Sequence, residues 1–199
     1  SRGYGRASNG AGARTGRTGA LARDDCGRSR RGHGRKRGFV VVGAKASDEW
    51  YTPPPIVAWA RRVLGEIDTD PAWSPRSHVR PVLQSYTVHD DGLAHVWPGR
   101  VFVNPPYSAP AAWLERCAGR QFPTLALVKF DPSTAAWTRH VWPHAAAVCI
   151  FGRRVKFERY AEPATSAPFP SAAVYYGPRA PVSVLAGGPD VSAVLRPPW

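Results

Sequence analysis

The run Val101-Phe102-Val103 passes directly into Asn104-Pro105-Pro106-Tyr107. Consecutive apolar residues of this kind describe a strand covered on both faces, and neither proline ring can donate to a sheet ladder, so the strand must stop there. It ends on a rigid edge that is first polar and then aromatic. Two more apolar runs, "TLALVKF" and "AAVCIFG", alternate with stretches of helical periodicity, "APAAWLERCAGR" and "STAAWTRHVW". That alternation predicts an α/β fold with a mostly parallel sheet.

The flanks extend the pattern. "DEWYTPPPIVAWARRVLG" predicts a helix capped by Thr52, with prolines in its first turn, an apolar face of Ile56, Val57, Ala60, Val63 and Leu64, and a stop at Gly65. "EIDTD" predicts a short strand carrying Asp68 and Asp70 to its C-terminal end. "SYTVHDDGL" predicts another that ends on Asp90 and Asp91, with Gly92 making the turn. "FVVVG" is either a strand or an apolar lead-in. "RRVKFERY" and "SAAVYYGP" predict two strands joined without a helix, an antiparallel C-terminal edge. Ligands of open α/β sheets bind beyond the C-terminal ends of the strands, where Asp70, Asp90, Asp91, Asn104 to Tyr107 and Asp131 all converge. Aspartate also favours caps and turns, so the acids taken singly carry both readings. Trp50, Trp113, Trp137 and Trp142 are read as core or groove packing.

Charge is unevenly placed. Residues 1–38 hold eleven of the 27 Lys/Arg and two of the 14 acids, a net +9, leaving +4 for residues 39–199. They also hold ten of the 19 glycines, no proline or tryptophan and one leucine. Such a composition buries too little surface to offset chain entropy, so residues 1–38 read as a disordered Arg/Gly-rich basic tail before one folded domain, 39–199. The tail suits non-specific contact with phosphates, or is a solubilising or appended extension. Cys26, Cys117 and Cys149 form no CxxC pattern, and the six histidines are scattered along the chain without cysteines beside them, so neither a disulfide framework nor a bound metal is expected. No apolar run approaches membrane-span length, and a reducing cytoplasm is the expected setting.

The chemistry open to Asn104 to Tyr107 is specific. An amino group on an aromatic ring is a poor nucleophile because its lone pair is delocalised. Two acceptors aimed at its N–H protons draw the nitrogen toward tetrahedral geometry: Asn104 Oδ1 is one and the Pro105 carbonyl, held by Pro106, the other. Tyr107 can stack on the ring. No general base of raised pKa is required, since the proton leaves after the nitrogen has become cationic.

"NPPY" after a strand resembles the catalytic motif of S-adenosylmethionine-dependent amino-methyltransferases. More closely, "DEWYTPPPIV", "VLGEIDTDPAWSP", "YTVHDDGL", "VWPGRVFVNPPYS", "STAAW", "FGRRVKF" and "FPSAAVYYGP" together resemble, in order, the phage Dam-type DNA N6-adenine methyltransferase family over residues 48–178. The resemblance implies a Rossmann-like methyltransferase fold and methyl transfer from S-adenosylmethionine to N6 of an adenine flipped from duplex DNA. It implies Asn104, Pro105, Pro106 and Tyr107 as catalytic, and Tyr51, Thr52, Pro53, Asp68, Asp70, Asp90 and Asp91 at the cofactor. Arg153, Arg154, Lys156 and Ser108 are the candidates for contact with DNA. It further implies a phage- or prophage-encoded enzyme in a bacterial cytoplasm, with restriction-modification as a setting. Methylation of RNA or of a glutamine amide, and a catalytically silent nucleic-acid binder, are the alternatives. The chain departs from the broader pattern in having Ala72-Trp73-Ser74-Pro75 where relatives place a glycine-rich turn. Val103 follows Asp70 by only 33 positions, which predicts a shortened cofactor half.

Overall fold

The computed structural model describes residues 50–159 and 162–197; the basic tail, "FVVVG" and Cys26 lie outside them. The first element is helix α1, Pro54–Leu64. Pro53 rather than Thr52 holds the cap position, and no side chain caps the helix. Thr52 is buried, 2% exposed, and lies one residue outside the cap position. Gly65 closes α1 at φ +84°, a left-handed backbone that glycine adopts without strain.

Seven strands form the main sheet: β1 (Thr69–Asp70), β2 (Gln84–Ser85), β3 (Val101–Val103), β4 (Thr124–Lys129), β5 (Ala147–Phe151), β8 (Ser171–Tyr176) and β9 (Val191–Leu195). Their order is β2-β1-β3-β4-β8-β5-β9. The pairs β2/β1, β1/β3 and β3/β4 are parallel; β8 is antiparallel to both β4 and β5, and β9 is antiparallel to β5. Five of the seven strands therefore share one direction, and β9 supplies the antiparallel C-terminal edge. β6 (Lys156–Arg159) and β7 (Glu162–Ser166) form a separate hairpin.

This corrects the expected pairing of "RRVKFERY" with "SAAVYYGP". All six residues of Ser171–Tyr176 are buried, so the segment needs a partner on each side and runs between β4 and β5. Within β6, by contrast, Phe157 is buried and Lys156 exposed, the pattern of a half-covered strand that pairs with β7. "SYTVHDDGL" is also corrected: the strand is Gln84–Ser85, and Asp90 and Asp91 follow it in a turn.

Helices cover both faces. On one face, Ile56, Trp59, Ala60 and Val63 of α1 and Leu185 of α4 (Val182–Ala186) pack on Phe102, Leu125, Leu127 and Tyr175. On the other, Trp113, Leu114 and Cys117 of α2 (Pro110–Ala118) and Trp137 of α3 (Ala135–His140) pack on Val101, Val103, Ala126 and Val174. The result is a three-layer, Rossmann-like α/β fold, as expected. The half expected to take a cofactor is short, for β1, β2 and β3 are joined without an α-helix and with one 3₁₀ turn, Gly92–Ala94. Cys117 and Cys149 are free and buried, and burial pushes both thiols up to about 12.

Candidate active site

β1 and β3 are parallel neighbours with Thr69 opposite Val101, so Asp70, the last residue of β1, is level with Phe102, and Asn104, the first beyond β3, follows two positions further at the same C-terminal end of the sheet. Alternation along β3 places Phe102 on the α1 face and Val103 on the α2 face, which returns Asn104 to the α1 side. There the Asn104 Nδ2 donates to the Trp50 carbonyl at 2.6 Å, and the Tyr107 hydroxyl donates to Asn104 Oδ1 at 2.8 Å.

The hairpin encloses the tyrosine. The Tyr107 ring meets Phe157 of β6 edge-on at 6.0 Å and Phe169 at 4.8 Å, and Trp50 meets the same two rings at 5.8 and 6.0 Å. Tyr51 and Glu158 exchange both backbone hydrogen bonds, at 2.9 and 3.1 Å, which ties the segment before α1 to β6. Burial holds the Tyr107 phenol well above its ordinary pKa. Sequence reasoning did not nominate Phe157, Phe169 or the Trp50 carbonyl. The phenylalanines stood in plain view in "GRRVKF" and "FPSAAV", whereas a main-chain acceptor 54 positions from Asn104 leaves no mark in the residue pattern.

The acids separate into distinct environments. Asp68 is a scaffold residue: Arg100 grips both its oxygens at 2.8 and 2.9 Å and donates its own backbone N–H at 2.7 Å. These hydrogen bonds hold the carboxyl below its ordinary pKa, and both oxygens are occupied. Asp90 is exposed and accepts from the Thr87 backbone and hydroxyl at 2.8 and 2.7 Å, a turn-forming contact that also lowers its pKa. Asp91 takes a left-handed backbone, φ +51°, immediately before the 3₁₀ turn. Asp131, at the end of β4, pairs with Lys129 at 3.1 Å.

Asp70 differs from all of these. It is 3% exposed, its Oδ1 accepts the Ala72 N–H at 3.0 Å, and desolvation raises its pKa to about 7. A carboxylate raised by burial regains its charge when a cation lies beside it. The Asp70–Pro71 turn is backed by Gly92, where a Cβ would stand 1.8 Å from the Pro71 carbonyl oxygen. The structure therefore brings Asp70, Asp91 and Asn104 to one edge, with Tyr51, Thr52 and Pro53 on the chain that leads from Trp50 into α1. That donor set fits a ligand with a cationic centre.

Of the basic candidates, Lys156 faces outward from β6 while Phe157 faces Tyr107. Arg153 is 84% exposed and 4.0 Å from Asp190; Arg154 is exposed and reaches the Ala167 carbonyl at 3.3 Å. Ser108 is exposed directly after Tyr107. Among the described residues no group of three or more His, Cys, Asp or Glu could hold a metal ion, and no helix is long and apolar enough to cross a membrane.

The family model described as DNA N-6-adenine-methyltransferase (Dam) matches residues 42–176, a span that takes in α1, β1 to β8 and every residue of the site above. No curated protein matches the chain.

Proposed function

The chain belongs to the DNA N-6-adenine-methyltransferase (Dam) family, and from that premise we propose that it methylates N6 of an adenine flipped out of duplex DNA, with S-adenosylmethionine as donor. The observation that carries this reading is the Asn104 amide, fixed by the Trp50 carbonyl just beyond β3, on the neighbouring strand to the one that ends in the buried Asp70. Bound S-adenosylmethionine supplies an electrophilic methyl group on a positively charged sulfur.

Asp70 and Asp91 would hold the cationic donor, with Tyr51, Thr52 and Pro53 closing over it from the start of α1. Asn104 Oδ1 and the Pro105 carbonyl accept from the two N6 protons. They draw the lone pair out of conjugation and toward the methyl carbon. The N–C bond forms as the S–C bond breaks, and the extra proton leaves the nitrogen afterwards. Tyr107 stacks on the base, and Phe157 and Phe169 exclude water from that side. An adenine paired inside a helix cannot reach this edge, so the base must turn outward, with the unstacking offset by Tyr107 and by phosphate contacts. Arg153, Arg154, Lys156 and Ser108, all exposed, are the side chains offered for such contacts.

The test is transfer of labelled methyl from S-adenosylmethionine to unmethylated duplex DNA, followed by digestion to nucleosides. N6-methyladenine is expected from the wild type, and a loss of at least about 100-fold from Asn104→Ala, because one of two charge-stabilising acceptors is gone. Label in another nucleoside, or equal transfer by Asn104→Ala, would overturn the reading.

A further inference from the structure

The Asn104 amide has one orientation open to it. The Trp50 carbonyl can only accept, so the amide atom 2.6 Å away is Nδ2, and Oδ1 faces the Tyr107 hydroxyl at 2.8 Å. That hydroxyl must therefore donate. Its ring is held by edge contacts with Phe157 and Phe169, and burial keeps the phenol protonated through the neutral range. The tyrosine thus occupies the very oxygen that a target amino group needs.

From this juxtaposition of the Tyr107 hydroxyl and Asn104 Oδ1 we infer that the hydroxyl is a specificity-determining group, a placeholder for the exocyclic amino group of the target base. It satisfies the amide oxygen while the site is empty, and it gives up that position when a base with an N–H donor enters. The inference rests on the adenine-amino reading of the site. A half-buried amide oxygen left without a donor is costly, so the empty site keeps its own donor at hand. The consequence bears on discrimination. A purine that lacks the amino group leaves the Tyr107 bond in place and forfeits nothing, whereas adenine exchanges one bond for another. The wild type therefore separates the two bases weakly at the binding step.

Tyr107→Phe retains the ring and removes the placeholder, so adenine becomes the only donor available to Asn104. The experiment uses the duplex that the wild type methylates, with adenine or unsubstituted purine at the target position, and measures both affinities without methyl donor. The ratio of adenine to purine affinity is expected to rise roughly three- to tenfold in Tyr107→Phe, because adenine supplies the donor that Asn104 Oδ1 lacks and purine does not. Near-UV circular dichroism of the variant reports that it is folded. An unchanged ratio means that Oδ1 accepts both donors at once, and a lower ratio means that the hydroxyl helps to hold the amino group; either result overturns the inference. A wild type that methylates no duplex overturns the proposed function itself, and this inference with it.

Discussion

At the end of β1 the Asp70 carboxyl is held in its protonated form to about pH 7 by burial, while the unfolded chain ionises it near the ordinary value of 3.8. The folded state therefore binds more protons than the unfolded state between those limits. Stability falls as pH rises through that window, by about 4 kcal/mol in all. Asp70→Asn carries no such penalty and keeps an oxygen for the Ala72 N–H. Urea unfolding should show it equal to the wild type near pH 4 and more stable above pH 7, the gap widening between; a constant gap would refute the assignment. A cationic donor recovers the same energy by restoring the Asp70 charge, so donor affinity of the wild type should weaken below pH 7. Residue types marked Asp68, Asp70, Asp90 and Asp91 alike as candidates. What separates them is Arg100 on Asp68, Thr87 on Asp90 and burial of Asp70, and each of these depends on a neighbour brought by the fold. Asn104 was legible because two prolines and an apolar strand fix its place without help from elsewhere.

Among the elements, the joints of the shortened cofactor half show best what one residue contributes. Gly92 reads in the sequence as a turn glycine, yet it does not take the positive φ that would demand glycine; Asp91 beside it does. Its requirement is space, since a methyl group would stand 1.8 Å from the Pro71 carbonyl oxygen, which is backbone and cannot swing aside. Gly92→Ala must therefore push the Asp70–Pro71 turn away from the 3₁₀ turn, at a cost of about 3 kcal/mol. Thermal unfolding should begin several degrees earlier, and S-adenosylmethionine affinity should fall with it. A normal melting temperature with normal affinity would show that the two turns move freely of one another. The same scale explains why "SAAVYYGP" could be identified as a strand but not placed. Its run of buried residues is local information, whereas insertion between β4 and β5 is settled by partners 40 and more positions away in β4. Thr52 failed as a cap for a simpler reason: Pro54 opens the helix, so Pro53 takes the cap position and Thr52 falls one residue outside it, buried.

At the scale of the molecule, five strands running one way bring Asp70 and Asn104 to the same end of the sheet, and β6 of the hairpin sets Phe157 against Tyr107 there with Lys156 exposed beside it. The apolar runs made the sheet direction legible, and the net charge of +13 made a polyanionic partner legible; strand order was not. The charge is divided: residues 39–199, with +4, include every described residue of the candidate site, and residues 1–38 carry +9. Affinity and chemistry should then separate. Each phosphate neutralised contributes about 0.9 to the slope of log affinity against log salt, so removing residues 1–38 should flatten that slope by up to about 8. At saturating DNA the methyl-transfer rate should be unchanged, because Asn104, Tyr107 and Asp70 are untouched. Binding titrations across a salt series, run beside single-turnover transfer, measure both quantities. Parallel salt lines would mean that the tail makes no phosphate contact and that Arg153, Arg154 and Lys156 carry the electrostatic share alone.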